Sequence, residues 1–349
     1  MKRKTSKILG FLLAVFMAAG LLPPNARAED SFIKYPVWIG NTQVTSENKD
    51  DVLEDGGSVK YTPAKESDAA KLVLNDPSIS DVYTDADGLE SVIYAAEALD
   101  IEGKATLSGT DCGIRATVGR LKIIDAEMNV SGTLYGIYSD AYLAIEGGSV
   151  TVDATDYAVS TAIFSENTVF LESGGSVSAT GGTAIASSKD VYIAYSAGTI
   201  TATGKQFYGI SSSDYIHIDG GTVKASGPMY GISGKKVVIG PDVPFEVTAD
   251  SDATAIYGEE SLYLGTYVMV TEPTSYTKTT HTILGDDGIH DATHVKPTIV
   301  PISTAYKLYT AAIVTVLISD LSPNSLRHKN PKSSIHKTHI DFSFFSSIL

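Results

Sequence analysis

An isoleucine recurs along this chain in a fixed frame, and the frame is written most plainly twice: YGIYSDAYLAIEGGSVTV at 135–152 and YGISSSDYIHIDGGTVKA at 208–225. Ile93, Ile114, Ile137, Ile163, Ile185, Ile210, Ile232 and Ile256 follow one another at intervals of 21, 23, 26, 22, 25, 22 and 24 residues. Five to seven residues after each comes an apolar-x-apolar triplet, such as Leu143/Ile145, Val169/Leu171 or Ile216/Ile218. A turn follows, Gly-Gly at 147–148, 174–175 and 220–221, and then a second triplet such as Val150/Val152 or Val223/Ala225. Alternation with period two is the mark of a strand with one buried face. Three short strands per unit, repeated at nearly constant spacing, make one coil of a parallel β-solenoid. One coil cannot bury its apolar face alone, whereas stacked coils share a continuous core. A β-sandwich would tolerate the turn spacing but would not demand three apolar sites in register eight times over. The expectation is an all-β parallel β-helix of about eight coils.

Ahead of the repeats, YPVWIGNTQVTSENKDDV (35–52) and GGSVKYTPAKESDAAKLVLNDPSI (56–79) have the alternation and turn residues of hairpins. Such a unit would cover the open edge of the first coil, which otherwise invites aggregation. Trp38, between Val37 and Ile39, is expected to pack into the core of this cap rather than to serve as a sugar platform.

The two ends differ from the middle. The basic residues Lys2, Arg3, Lys4 and Lys7 precede an apolar run from Ile8 to Leu22 and an Ala-Arg-Ala at 26–28, the pattern of a signal peptide cleaved after Ala28. The run is too short for the roughly 20 residues of a membrane span, so an exported protein without a span in its mature chain is expected, free or associated with the cell wall. Residues 298–349 lack glycine and repeat register and hold Lys and His, so a disordered tail is expected there. Each end carries net positive charge, which leaves −23 on residues 29–297 against −15 for the whole chain. A domain that acidic repels nucleic acid and anionic lipid. The single cysteine, Cys112, cannot form an internal disulfide. It occupies the column two residues before each isoleucine, where a small inert side chain belongs.

Catalysis on a β-helix would need carboxylates clustered on adjacent coils with His, Arg or Lys close by. Between 91 and 270 the chain holds one histidine, His217, and two arginines, Arg115 and Arg120. The outward positions of the third strand (Thr151, Ser178, Thr201 and their equivalents) are polar and bland. No enzyme, cofactor or metal site is expected. The acidic groups Asp81/Asp85/Asp87 and Asp286/Asp287/Asp291 are expected to be solvated turns rather than Ca²⁺ ligands. The outward middle residues of the second strand are different: Phe170, Tyr192 and His217 fall on consecutive coils. At about 4.8 Å per coil they form a ladder about 10 Å long. Such rings could receive the apolar faces of pyranose rings, or could simply brace the solenoid by stacking. Phe164 and Tyr138, outward on the first strand, are added to the candidate site.

The N-terminal motif, the reiterated YGIxS…LxIxGGxVxAxG and the closing ATHVK (292–296) resemble a family of secreted or cell-surface proteins of anaerobic gut bacteria described as carbohydrate-binding domain-containing. The likeness spans roughly residues 31–297. It implies a right-handed parallel β-helix that binds polysaccharide or surface glycan; it supplies no catalytic or binding residues. The expected organisation is a signal peptide (1–28), an N-terminal β cap (29–88), the β-helix (89–297) and the tail (298–349). The expected function is non-enzymatic glycan binding or adhesion through the aromatic ladder. A structural spacer for a surface protein, and a polysaccharide-degrading enzyme, are the alternatives.

Overall fold

A computed structural model describes residues 32–299, apart from 157, 242, 250–252, 266–267, 273–276, 279–281, 285–291 and 293. The expected signal peptide, most of the expected tail and the Asp286/Asp287/Asp291 group lie outside the described residues. Every regular element is a strand, and none of the described residues forms a helix long and apolar enough to cross a membrane.

The strands build three parallel stacks. In the first, Tyr135–Ser139 pairs with Cys112–Ala116 on one side and Thr161–Ser165 on the other, placing Ile137 between Ile114 and Ile163. The second holds Leu143–Glu146, Thr168–Glu172, Asp190–Ile193 and Tyr215–Ile218. The third holds Ser149–Ala154, Gly174–Gly181, Ala197–Gly204 and Thr222–Ser226. The isoleucine column points inward: Ile137, Ile163, Ile185, Ile210 and Ile232 are all fully buried. Each such side chain contributes about 1.5–3 kcal/mol of apolar burial. The solenoid has about seven turns rather than eight, because eight isoleucines mark seven steps from one coil to the next.

Three local devices explain the other invariant letters. In three coils the glycine before the isoleucine faces a valine of the third strand. A Cβ at Gly113, Gly136 or Gly231 would come within 2.3, 2.1 and 2.3 Å of Cγ1 of Val130, Val152 and Val247. Where alanine stands before the isoleucine, at Ala162 and Ala184, the third strand carries Ala179 and Ala202 instead. The Gly-Gly turns are needed on two counts: Gly148 and Gly175 have φ of +71° and +75°, and a Cβ on either would meet backbone at 2.2 Å. Ser165, Ser187 and Ser212, each ending a first strand, are buried and doubly bonded. The hydroxyls of Ser165, Ser187 and Ser212 donate to the carbonyls of Ala141, Asn167 and Lys189. They accept from the N–H groups of Asn167, Lys189 and Asp214 at 3.1, 3.0 and 3.0 Å. The turn between the first and second stacks is thereby stapled coil to coil.

The ends differ from expectation. Lys34–Ile39 and Thr42–Thr45 form a hairpin whose first strand runs antiparallel to Glu90–Ala95, capping the first stack. In the second hairpin, however, Ala70–Ile79 pairs antiparallel with Val59–Thr62 and parallel with Leu99–Ser108, so it is itself a rung of the second and third stacks. The parallel stack therefore reaches back into the segment expected to be cap. Trp38 does not enter the core. Val37 and Ile39 take the inward positions of their strand, and the pleat turns Trp38 outward, half-buried. There it stacks on Tyr83 at 4.4 Å and meets the edge of Tyr94 at 5.7 Å. At the other end, Val268–Glu272 does not extend the third stack. The exposed edge of Phe245–Thr248 is taken by His294–Ile299 running antiparallel, with Val295 buried opposite Val247. Val268–Glu272 pairs antiparallel with the later part of that same strand, from Lys296 to Ile299.

Candidate functional site

The second stack places three columns of outward side chains side by side. Its registers align Thr168 with Asp190, Phe170 with Tyr192, and Tyr192 with His217. Because alternate residues face out, the strand Thr168–Glu172 presents Thr168, Phe170 and Glu172, and the next presents Asp190 and Tyr192. The third presents Tyr215 and His217, with Asp219 just beyond its end. The result is an aromatic strip with a carboxylate margin on either side. Thr168, Phe170, Asp190, Tyr192, Tyr215 and His217 line an open groove of about 210 Å³.

The rings are held in defined attitudes. Phe170 lies 5.6 Å from Tyr192 at 42°, and Tyr192 lies 5.1 Å from His217 at 62°. Asp219 fixes the last two: its Oδ2 accepts from the Tyr192 hydroxyl at 2.5 Å, and its Oδ1 lies 2.8 Å from His217 Nε2. The hydrogen bond to Asp219, followed by burial, holds the Tyr192 phenol above the usual tyrosine range. On the opposite margin, Asp190 Oδ1 accepts the Tyr215 N–H at 3.1 Å. The Lys236 ammonium sits 4.9 Å over the Tyr215 ring and 2.9 Å from its hydroxyl. These rings are half-buried because they lean on one another, yet the His217 side chain retains 41% exposure and Tyr215 40%.

The ladder has a fourth ring that the triplet pattern did not reveal. Tyr142 precedes its triplet and reaches diagonally to within 4.8 Å of Phe170. It does so over Ala144, the small, fully buried residue that occupies the ladder position of that coil. Beyond Ala144 the column passes to Lys122, paired with Glu146. Asp190, Tyr215, Asp219 and Glu172 were also missed. They sit two residues from the triplet centres, and extending the outward column by one position on each side would have found them.

Tyr138 and Phe164 belong to a different surface. They stand on the first stack, 5.6 Å from each other and 4.9 and 5.8 Å from Tyr135. Among the described residues no ring contact joins them to the Phe170 strip. The Arg115 guanidinium lies 5.2 Å from the Tyr138 ring and pairs with Asp85 at 3.2 Å and Asp87 at 2.8 Å. Asp85 is thus no solvated turn residue: its side chain and that of Arg115 are 3% and 6% exposed. A guanidinium fills the space between these carboxylates. No group of three or more candidate metal ligands occurs among the described residues.

Residues 156–299 match the model of a family described as carbohydrate-binding domain-containing protein. That stretch is less than half of the 349 residues. It contains Phe164, Phe170, Tyr192 and His217 but not Tyr138 or the N-terminal hairpins. No curated protein and no solved structure matches the chain. The family match supports carbohydrate binding as the coarse role.

Proposed function

We propose that this protein is an exported, non-enzymatic glycan-binding β-solenoid that holds saccharide on the Phe170–Tyr192–His217 strip of its second stack. The observation that carries the reading is the three-column arrangement. An aromatic floor receives the C–H face of a pyranose ring, and carboxylates two residues to either side are placed to accept its equatorial hydroxyls. The match over 156–299, which includes Phe170, Tyr192 and His217 but not Tyr142, favours the same reading. The non-enzymatic part rests on what the acids are doing. Asp219 spends one oxygen on Tyr192 and the other on His217, and Asp190 caps the Tyr215 N–H. Those are positioning roles, with no general acid opposed to a general base. Export rests on the N-terminal pattern alone.

A glycan array with the full chain is the test, repeated with Tyr192→Ala. Removing the central ring is expected to weaken binding about tenfold or more, the value of roughly 1.4 kcal/mol, while the thermal transition stays within a few degrees of the parent. Equal binding by the variant would move the site elsewhere on the molecule. Release of reducing ends from a bound polysaccharide would replace the binding role by a catalytic one.

A further inference from the structure

We infer that the groove selects oligosaccharides of two or three sugar units without negative charge and rejects uronate-containing, sulfated and sialylated ones. This deepens the proposed glycan-binding role and rests on it.

Length comes from the extent of the rings. From Tyr142 to His217 the strip covers three rung steps, about 14 Å at about 4.8 Å each, the span of a di- or trisaccharide. It ends on both sides in residues unsuited to a sugar face: the Lys122–Glu146 ion pair beyond Ala144, and Val238 beyond His217.

Charge selection comes from the margins. On one side Asp190 has its second oxygen without a partner among the described residues, since its only side-chain bond is Oδ1 to the Tyr215 N–H. On the other side the Glu172 carboxylate, outward on the same strand as Phe170, has no hydrogen bond or ion pair among the described residues, and Asp219 lies in the same column. Hydroxyl groups supply the donors these acceptors lack. A carboxylate or sulfate on the sugar would supply a like charge instead. The lysines at the rim do not offset this. Lys122 is engaged by Glu146, and Lys236 by the Tyr215 hydroxyl and by Glu260 at 3.4 Å. Lys189, exposed on the turn before Asp190, is a cation with no side-chain partner among the described residues. A single solvated ammonium is outweighed by three carboxylates.

The experiment is calorimetric titration of the full chain with three sets of short probes: neutral gluco-, manno- and xylo-oligosaccharides, oligogalacturonides, and chito-oligosaccharides with and without N-acetylation. At least one neutral probe is expected to bind, with oligogalacturonide at least tenfold weaker at low salt. Raising the salt to shorten the Debye length should narrow that gap, and so should Glu172→Gln combined with Asp190→Asn, an isosteric pair that keeps an oxygen for the Tyr215 N–H. A deacetylated amino-oligosaccharide binding in a salt-sensitive manner would agree with the same field. Oligogalacturonide binding as tightly as any neutral probe, and lost in Tyr192→Ala, would overturn charge selection and leave the glycan site standing. No binding of any saccharide would overturn the glycan reading itself and this inference with it.

Discussion

At the scale of single residues, Cys112 and Arg115 show how burial decides what a reactive-looking side chain can do. Cys112 is fully buried in the first stack. Burial pushes its thiol up to about 12, against smaller opposing effects of the neighbouring Ser91 hydroxyl and the charge of Arg115. With so little thiolate and no access, it should not react with a disulfide reagent at pH 8 in the native state and should react fully in denaturant. Fast labelling of the folded protein would contradict this. The sign of the pH effect follows from the same shift. A group whose folded value is raised stabilises the fold below its unfolded value, near 9 here, and that contribution fades as pH rises toward 12. Arg115 is the opposite case, a charge that could not stay buried alone. Asp85 and Asp87 neutralise it, and removing one partner of such a buried pair typically costs about 3–5 kcal/mol. One member of an acidic triplet read from sequence as solvated, Asp85, is therefore packed against Arg115, while Asp81 and Asp87 stay exposed.

At the scale of elements, the Gly-Ile of a coil and the valine of its third strand form one unit at Gly113, Gly136 and Gly231. Gly136→Ala should drive a methyl into Val152 Cγ1, where the ideal Cβ lies at 2.1 Å, and lower stability by about 1–3 kcal/mol. Val152→Ala leaves a small cavity by itself. Combined, the two recreate the Ala/Ala pair that the chain already uses at 184 and 202. The double variant should be more stable than the sum of the single effects predicts, as read by urea denaturation of all four proteins. Additive losses would show that the two positions do not share the space. The aromatic strip is an element-scale feature too. It exists because three consecutive second strands have adjacent registers without a bulge, and a one-residue slip in any of them would send its ring into the core.

For the whole molecule, a solenoid is only as well behaved as its two open ends. The N-terminal hairpins cover one, and His294–Ile299 covers the third stack at the other by pairing with Phe245–Thr248. Val295→Asp, which places a charge at a fully buried cap position, should detach that strand and uncover a β edge. The expected result is self-association, visible in light scattering at rising protein concentration, with the strand content of the remaining coils retained. If the apparent mass matches that of the parent across the range, the strand is not what blocks edge pairing. The net charge of −23 on residues 29–297 opposes such association at low ionic strength, so the effect should grow with salt.

The inward letters of the repeat, read alone, were enough to give an all-β parallel solenoid, the buried isoleucines and the outward direction of Phe170, Tyr192 and His217. Each inward residue must fit the same position on the coils above and below, so its constraint is periodic and stays visible in one dimension. What the tertiary structure decided lies outside that column. Trp38 turned outward because the cap strand pairs edge-on with the first stack, and Tyr142 joined the ladder diagonally across an alanine. Asp219 reached two rings on different coils, and Tyr138 and Phe164 parted from the strip because the chain turns a corner between the first and second strands of each coil. Contacts across coils and around corners depend on turn geometry and side-chain reach, which vary from unit to unit, and such variation leaves no period to read.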